Sequence, residues 1–186
     1  MHERAVVFLH GVFGGPSDFE PVESLLDEDV RCLCPELPVS GRPAVPGMAD
    51  LVQYVDDVLE DKGLGEAVFI GHSFGSSLAL AYAHRHPERV RGLVLSGLVA
   101  LDLDGLVAPP GTPLLLLASH GSPDDAFGRA AARRLRGSRL LFVIDGDDAP
   151  LLTRPSLFAF HVRAFLNDVF PPRLLGEEDA LALAGR

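Results

Sequence analysis

The 186-residue sequence has only two cysteines, and its 16 lysines and arginines are outnumbered by 26 aspartates and glutamates, for a formal net charge of −10. The basic residues are scattered and form no stripe, so nucleic acid is not an expected partner. No apolar run approaches the roughly 20 residues of a membrane-spanning helix, and no membrane span is expected. Met1-His2-Glu3-Arg4 leads straight into an apolar segment without a secretory pattern, which makes the cytoplasm the expected location. Cys32 and Cys34 stand two apart on one strand, where their side chains point the same way but lie too far apart for a relaxed disulfide. Buried free thiols are expected there. No His or Cys spacing suits a metal. Gly11-Val12-Phe13-Gly14-Gly15 lacks the spacing of a dinucleotide fingerprint, and no stretch matches a P-loop. Neither metal nor cofactor is therefore expected, and no internal repeat is found.

What the sequence does contain is a regular alternation. Apolar strands are expected at Arg4 to His10, Asp29 to Pro35, Val68 to Ile70, Val90 to Ser96, Pro113 to Ser119 and Arg139 to Ile144. Between them come a helix capped by Ser17 with acids in its first turn, and an amphipathic helix from Ala49 to Lys62 that Gly63 terminates. Further helices follow Ser73, Pro123 and Pro155, the last running to Asn167. Glu36 to Gly47 is proline-rich and reads as a loop. Continuous apolar strands alternating with helices predict an α/β fold: a doubly wound, mostly parallel six-stranded sheet with helices on both faces. A chain of this length buries about 70% of its unfolded surface in a single core. One domain over residues 1–170 is expected, followed by a tail, 171–186, in which Leu174, Leu175, Leu181 and Leu183 have no assigned partner. Ligands of such sheets bind outside the carboxyl ends of the strands.

The stretch AVFIGHSFGSS, Ala67 to Ser77, holds the strongest chemical signal. An apolar strand meets a helix at Gly71-His72-Ser73-Phe74-Gly75, a G-x-S-x-G turn in which glycines on either side let neighbouring backbones pass close and leave the serine exposed. The helix that begins there aims free backbone N–H groups at whatever bonds to the serine oxygen. His72 beside the serine, and His84 and His86 at the helix end, are expected to serve packing and the helix dipole.

In these residues the sequence resembles the α/β-hydrolase family from about Arg4 to Asn167. His10-Gly11 is similar to that family's oxyanion loop, Gly71 to Gly75 to its nucleophile elbow, and His86-Pro87-Glu88-Arg89-Val90 to the lead into its next strand. The resemblance implies Ser73 as nucleophile, with the backbone amides of Val12 and Phe74 as oxyanion hole, an arrangement that convergence of the two loops on one oxygen also requires. It implies as well that the family's first two strands and its lid are missing, since only the linker Gly97 to Thr112 occupies the lid's place. The departures concern the other two members of the triad. Where the family carries an acid after the fifth strand this chain has Ser122, and where the family carries a histidine after the sixth it has Asp148 or, shifted by one, Ala149. Three arrangements remain open. His120 serves as base with Asp148 or Asp147 orienting it; or the partners are gone and the fold binds with little turnover; or Asp124 is a shifted acid and His161 the base. The implied activity is hydrolysis of a carboxylic ester or similar small-molecule acyl substrate through Ser73, His120 and Asp148. The alternatives are an inactivated binding protein and a lyase on the same fold. Oligomeric state is not legible.

Overall fold

A computed structural model describes residues 4–39, 46–97, 107–119, 123–135, 137, 139–143 and 149–171. Six strands, β1 (Arg4–Leu9), β2 (Val30–Leu33), β3 (Ala67–His72), β4 (Val90–Ser96), β5 (Leu114–Ser119) and β6 (Arg139–Val143), form one sheet in the order β2-β1-β3-β4-β5-β6. Every pairing is parallel. The helices are α1 (Glu20–Glu23), α2 (Met48–Asp61), α3 (Phe74–Arg85), α4 (Pro123–Arg134), α5 (Pro150–Thr153) and α6 (Pro155–Val169).

Alternate residues of β1 to β5 feed two separate cores, which explains why these strands read as apolar runs. Ala5, Val7, Leu9, Phe69, Leu93, Leu95 and Leu116 face the layer of α2, α3 and α4. Val6, Phe8, Val68, Ile70, Val94 and Leu117 face α1, α5 and α6. The chain winds outward from β1 to β2, then returns to β3 and proceeds the other way. The carboxyl ends of β1 and β3 therefore flank the point where the winding reverses, the place where such sheets open a crevice.

Helix α2 ends as its sequence requires. Gly63 takes φ +63°, and Leu64 N–H and Gly63 N–H donate back to Leu59 and Glu60 carbonyls at 2.8 and 2.9 Å. That is a Schellman stop with Leu59 and Leu64 both buried. One expectation needs correction. Ser17 does not cap a continuous helix: a 3₁₀ turn at Pro16–Asp18 and the short α1 are separated by Phe19, with Pro16 and Pro21 starting each piece. Each proline removes an N–H donor, and the wholly buried Phe19 draws the chain inward between them. The described part of the stretch after β2 is a loop, as expected, and from it Leu37 and Val39 enter the core at 1% exposure. Cys32 and Cys34 are free and half-buried, and burial, with Glu23 adding its charge, pushes both thiols up to about 12.

A polar cluster fixes the far end of α3. Asp56 of α2, only 8% exposed, accepts the Tyr82 hydroxyl at 2.7 Å and pairs with Arg89. Tyr82 lies between Phe69 and His86, with ring centroids 4.7 and 4.9 Å away. His84, at the same helix end, contacts the Val107 carbonyl at 2.6 Å. Residues 98–106, most of the linker expected in place of a lid, and residues 172–186 of the expected tail lie outside the described residues.

Burial alone would raise the Asp56 pKa, but hydrogen bonds from Tyr82 and Arg89, and the charges of Arg89 and His86, bring it below the ordinary carboxylate value. A carboxylate depressed in the folded state stabilises the fold above its unfolded pKa of about 3.9, and that contribution vanishes as pH falls through the folded value. Asp56→Asn is expected to cost about 2 kcal/mol near neutral pH by urea unfolding. The gap to the parent protein should narrow below about pH 5; a gap unchanged down to pH 2 would contradict the assignment.

Candidate functional site

The sharp corner after β3 is built by backbone contact. A Cβ on Gly71 would sit 2.5 Å from the Gly75 carbonyl oxygen and from the Ser76 backbone, and one on Gly75 would strike the Leu9 carbonyl. Helix α3 thus starts directly against β1 and β3, and a single residue must make the turn. Ser73 does so at φ 54°, ψ −122°, the only non-glycine with positive φ among the described residues. A side chain in that conformation costs about 1–3 kcal/mol and persists only where its surroundings enforce it. Ser73 N–H donates to the Ser96 carbonyl at 2.9 Å. The buried Ser76 hydroxyl lies 2.9 Å from both the Gly71 and the Ser96 carbonyls, so its proton ties the end of β3 to the end of β4. Sequence reading missed Ser76, although a serine on a helix face otherwise composed of Ala79, Leu80 and Ala83 was the available signal.

The loop after β1 closes on this corner. A Cβ on Gly11 would lie 3.2 Å from Ser73 Cβ and 3.5 Å from Ser73 Oγ. His10, wholly buried, accepts the Leu37 N–H at Nε2 over 2.9 Å, which leaves Nδ1 as the protonated nitrogen that donates to the Gly11 carbonyl at 2.8 Å. The loop is tied to the chain beyond β2 through that imidazole. Val12, half-buried, follows Gly11 in a turn closed by Gly14 N–H to Gly11 O at 3.1 Å. Phe74 is the first residue of α3, where an N–H has no partner within its own helix.

Among the described residues the buried polar side chains are His10, Asp56, Ser76, Ser96 and Ser119, and all except Asp56 lie at the carboxyl edge of the sheet or just beyond it. The Ser96 hydroxyl there has no hydrogen-bond partner. No trio of His, Cys, Asp or Glu among the described residues is gathered to hold a metal ion. His120, Asp147, Asp148 and Ser122 lie outside the described residues. The strands that lead to them are adjacent, with Ser119 of β5 paired to Val143 of β6. In sheet order β5 stands two strands from β3, about 10 Å. His161 lies within α6 with its ring 5.4 Å from that of Phe160. Burial, and then the charge of Arg139, lower its pKa.

A sequence model of the alpha/beta hydrolase fold matches residues 4–139. The chain belongs to the α/β-hydrolase family. Proline iminopeptidase of Neisseria gonorrhoeae is 53% identical over 49 residues, which cover 26% of this chain and 16% of that protein. A 2-hydroxymuconate semialdehyde hydrolase of Pseudomonas putida is 44% identical over 67 residues, covering 36% of this chain and 23% of the hydrolase. The matches thus span less than a quarter of either relative. A solved structure of a thermophilic esterase from Thermogutta terrifontis superposes with a TM-score of 0.79 at 17% identity, covering 89% of this chain and 90% of the esterase. That likeness is one of fold.

If backbone crowding sets the α/β-hydrolase corner, glycines around it differ sharply in tolerance. Gly71→Ala is expected to lose about 3 kcal/mol or more in urea unfolding, whereas Gly15→Ala, with nothing within 4 Å of the added carbon, should stay within about 1 kcal/mol. Ser73→Gly should be more stable than Ser73→Ala by about 1 kcal/mol, because glycine tolerates the positive φ that alanine keeps strained. Equal stabilities would show that the corner is relaxed.

Proposed function

We propose that the protein is a serine hydrolase that cleaves carboxylic esters, or similar small-molecule acyl substrates, through an acyl-enzyme on Ser73. The observation that carries this reading is the strained, positive-φ serine at the reversal point of the sheet with Gly11 packed against it. In the proposed cycle the His120 imidazole takes the proton from Ser73 Oγ as that oxygen attacks the acyl carbon, and Asp148 orients the imidazole. The oxyanion accepts hydrogen bonds from the Val12 and Phe74 amides, each worth ~3–4 kcal/mol of transition-state stabilisation. The alcohol leaves with the proton from His120, and water repeats the sequence to release the acid and restore the serine.

The exchange of base and acid between strands is consistent with triad chemistry, which depends on geometry and not on chain order. Adjacency of β5 and β6 supports it. No helix among the described residues is long and apolar enough to cross a membrane, and two free thiols suit the reducing cytoplasm we assign as its location. A second reading rests on the sequence itself. Ser122 and Asp148 occupy the positions where the family carries acid and base, which suits a protein that binds in the crevice with little turnover, and a lyase that never acylates the serine is a variant of it.

Intact-mass labelling with a fluorophosphonate separates these. Rapid single labelling, lost in Ser73→Ala and slowed at least about a thousandfold in His120→Ala, is the expected result. Labelling no faster than in Ser73→Ala, unaffected by His120→Ala and restored by Asp148→His, would instead establish the binding reading and locate the missing base.

A further inference from the structure

Phe13 is fully exposed, at 103% of its reference area, on a loop that is otherwise held firmly. It is the third residue of the turn closed by Gly14 N–H to Gly11 O. Ahead of it His10 is buried and bonded through both ring nitrogens, and behind it Gly15 N–H donates to Asp18 Oδ2 at 3.1 Å. Gly11, whose lack of a side chain makes room for Ser73, lies two residues earlier, so the Cα atoms of Gly11 and Phe13 are no more than about 7.6 Å apart. An apolar ring left in water forgoes the free energy its burial gives, and here the fold takes nothing from it in return. Exposure alone does not mark a site: Phe160 on α6 is 64% exposed, but the His161 ring stands against it at 5.4 Å and it belongs to no loop around Ser73.

We infer that Phe13 is the apolar contact of the substrate, a ring held beside Ser73 against which an aryl or longer alkyl group of the ester rests. This deepens the reading of Ser73 as acyl acceptor and rests on it. The contact selects neutral substrates with an apolar group over small ones. A net charge of −10 disfavours anionic substrates in the same direction. Because the turn is fixed and a phenylalanine has only two side-chain torsions, the ring gives up little freedom when the ligand arrives.

The test compares two fluorophosphonates that differ in one substituent, methyl or 4-phenylbutyl, by their labelling rates on the full chain. The ratio of phenylbutyl to methyl rates is expected to fall about tenfold in Phe13→Ala, less in Phe13→Leu, and not at all in Phe160→Ala. Binding of 3-phenylpropanol, followed by ligand-observed NMR, is independent of serine reactivity and should weaken about tenfold in Phe13→Ala. An unchanged ratio with unchanged alcohol binding overturns the inference while leaving Ser73 as nucleophile, as does an equal fall in Phe160→Ala. Absence of labelling together with alcohol binding that depends on Phe13 means the reverse: the hydrolase reading fails and the apolar contact stands.

Discussion

The closeness with which helix α3 enters the sheet governs the rest of the molecule. Gly75 admits the Leu9 carbonyl and Gly71 admits the backbone of Gly75 and Ser76, so no space remains for a gradual turn from strand to helix. Ser73 absorbs the whole change of direction and is left in a conformation that a residue with a side chain avoids. The same crowding brings Gly11 against the serine and sets the first amides of α3 beside it. Strain and electrostatic setting therefore have one cause.

Such a corner holds only if the helix cannot back away, and α3 is restrained at both ends. At its start, Ser73 N–H and the Ser76 hydroxyl both reach the Ser96 carbonyl. At its end, Tyr82 and the Arg89 that follows the helix both reach Asp56 on α2. Between them Leu78, Ala79 and Ala83 pack on the core shared with β1, β3 and β4. His10 plays the matching part for the loop opposite, fastening it to the chain beyond β2 through the Leu37 amide.

Most of this was legible in the sequence because it is local. The strands announced themselves as apolar runs, Gly63 marked a helix stop, and the spacing of Gly71, Ser73 and Gly75 specified the corner. Features set by tertiary packing were not. Pro16 and Pro21 split a segment whose acids and apolar spacing resembled one helix, and Leu37 and Val39 entered the core from a stretch that its prolines marked only as a loop. Short α5, four residues ahead of α6, left no periodic trace at all. For the candidate site the division is the same. Ser73 and the Gly11 loop follow from short motifs, whereas the base and acid we propose depend on a tertiary convergence that no short motif specifies. The chain carries His120 and Asp148 in an order that no local pattern dictates.

The most direct test of the account is whether the strained serine becomes acylated. Mixing the protein with p-nitrophenyl butyrate, quenching in acid within the first turnover and mapping the adduct by peptide mass spectrometry would answer it. The account predicts a burst of one nitrophenolate per chain and a butyryl group on the peptide that carries Ser73. A steady release with no burst, and no adduct on that peptide, would contradict it.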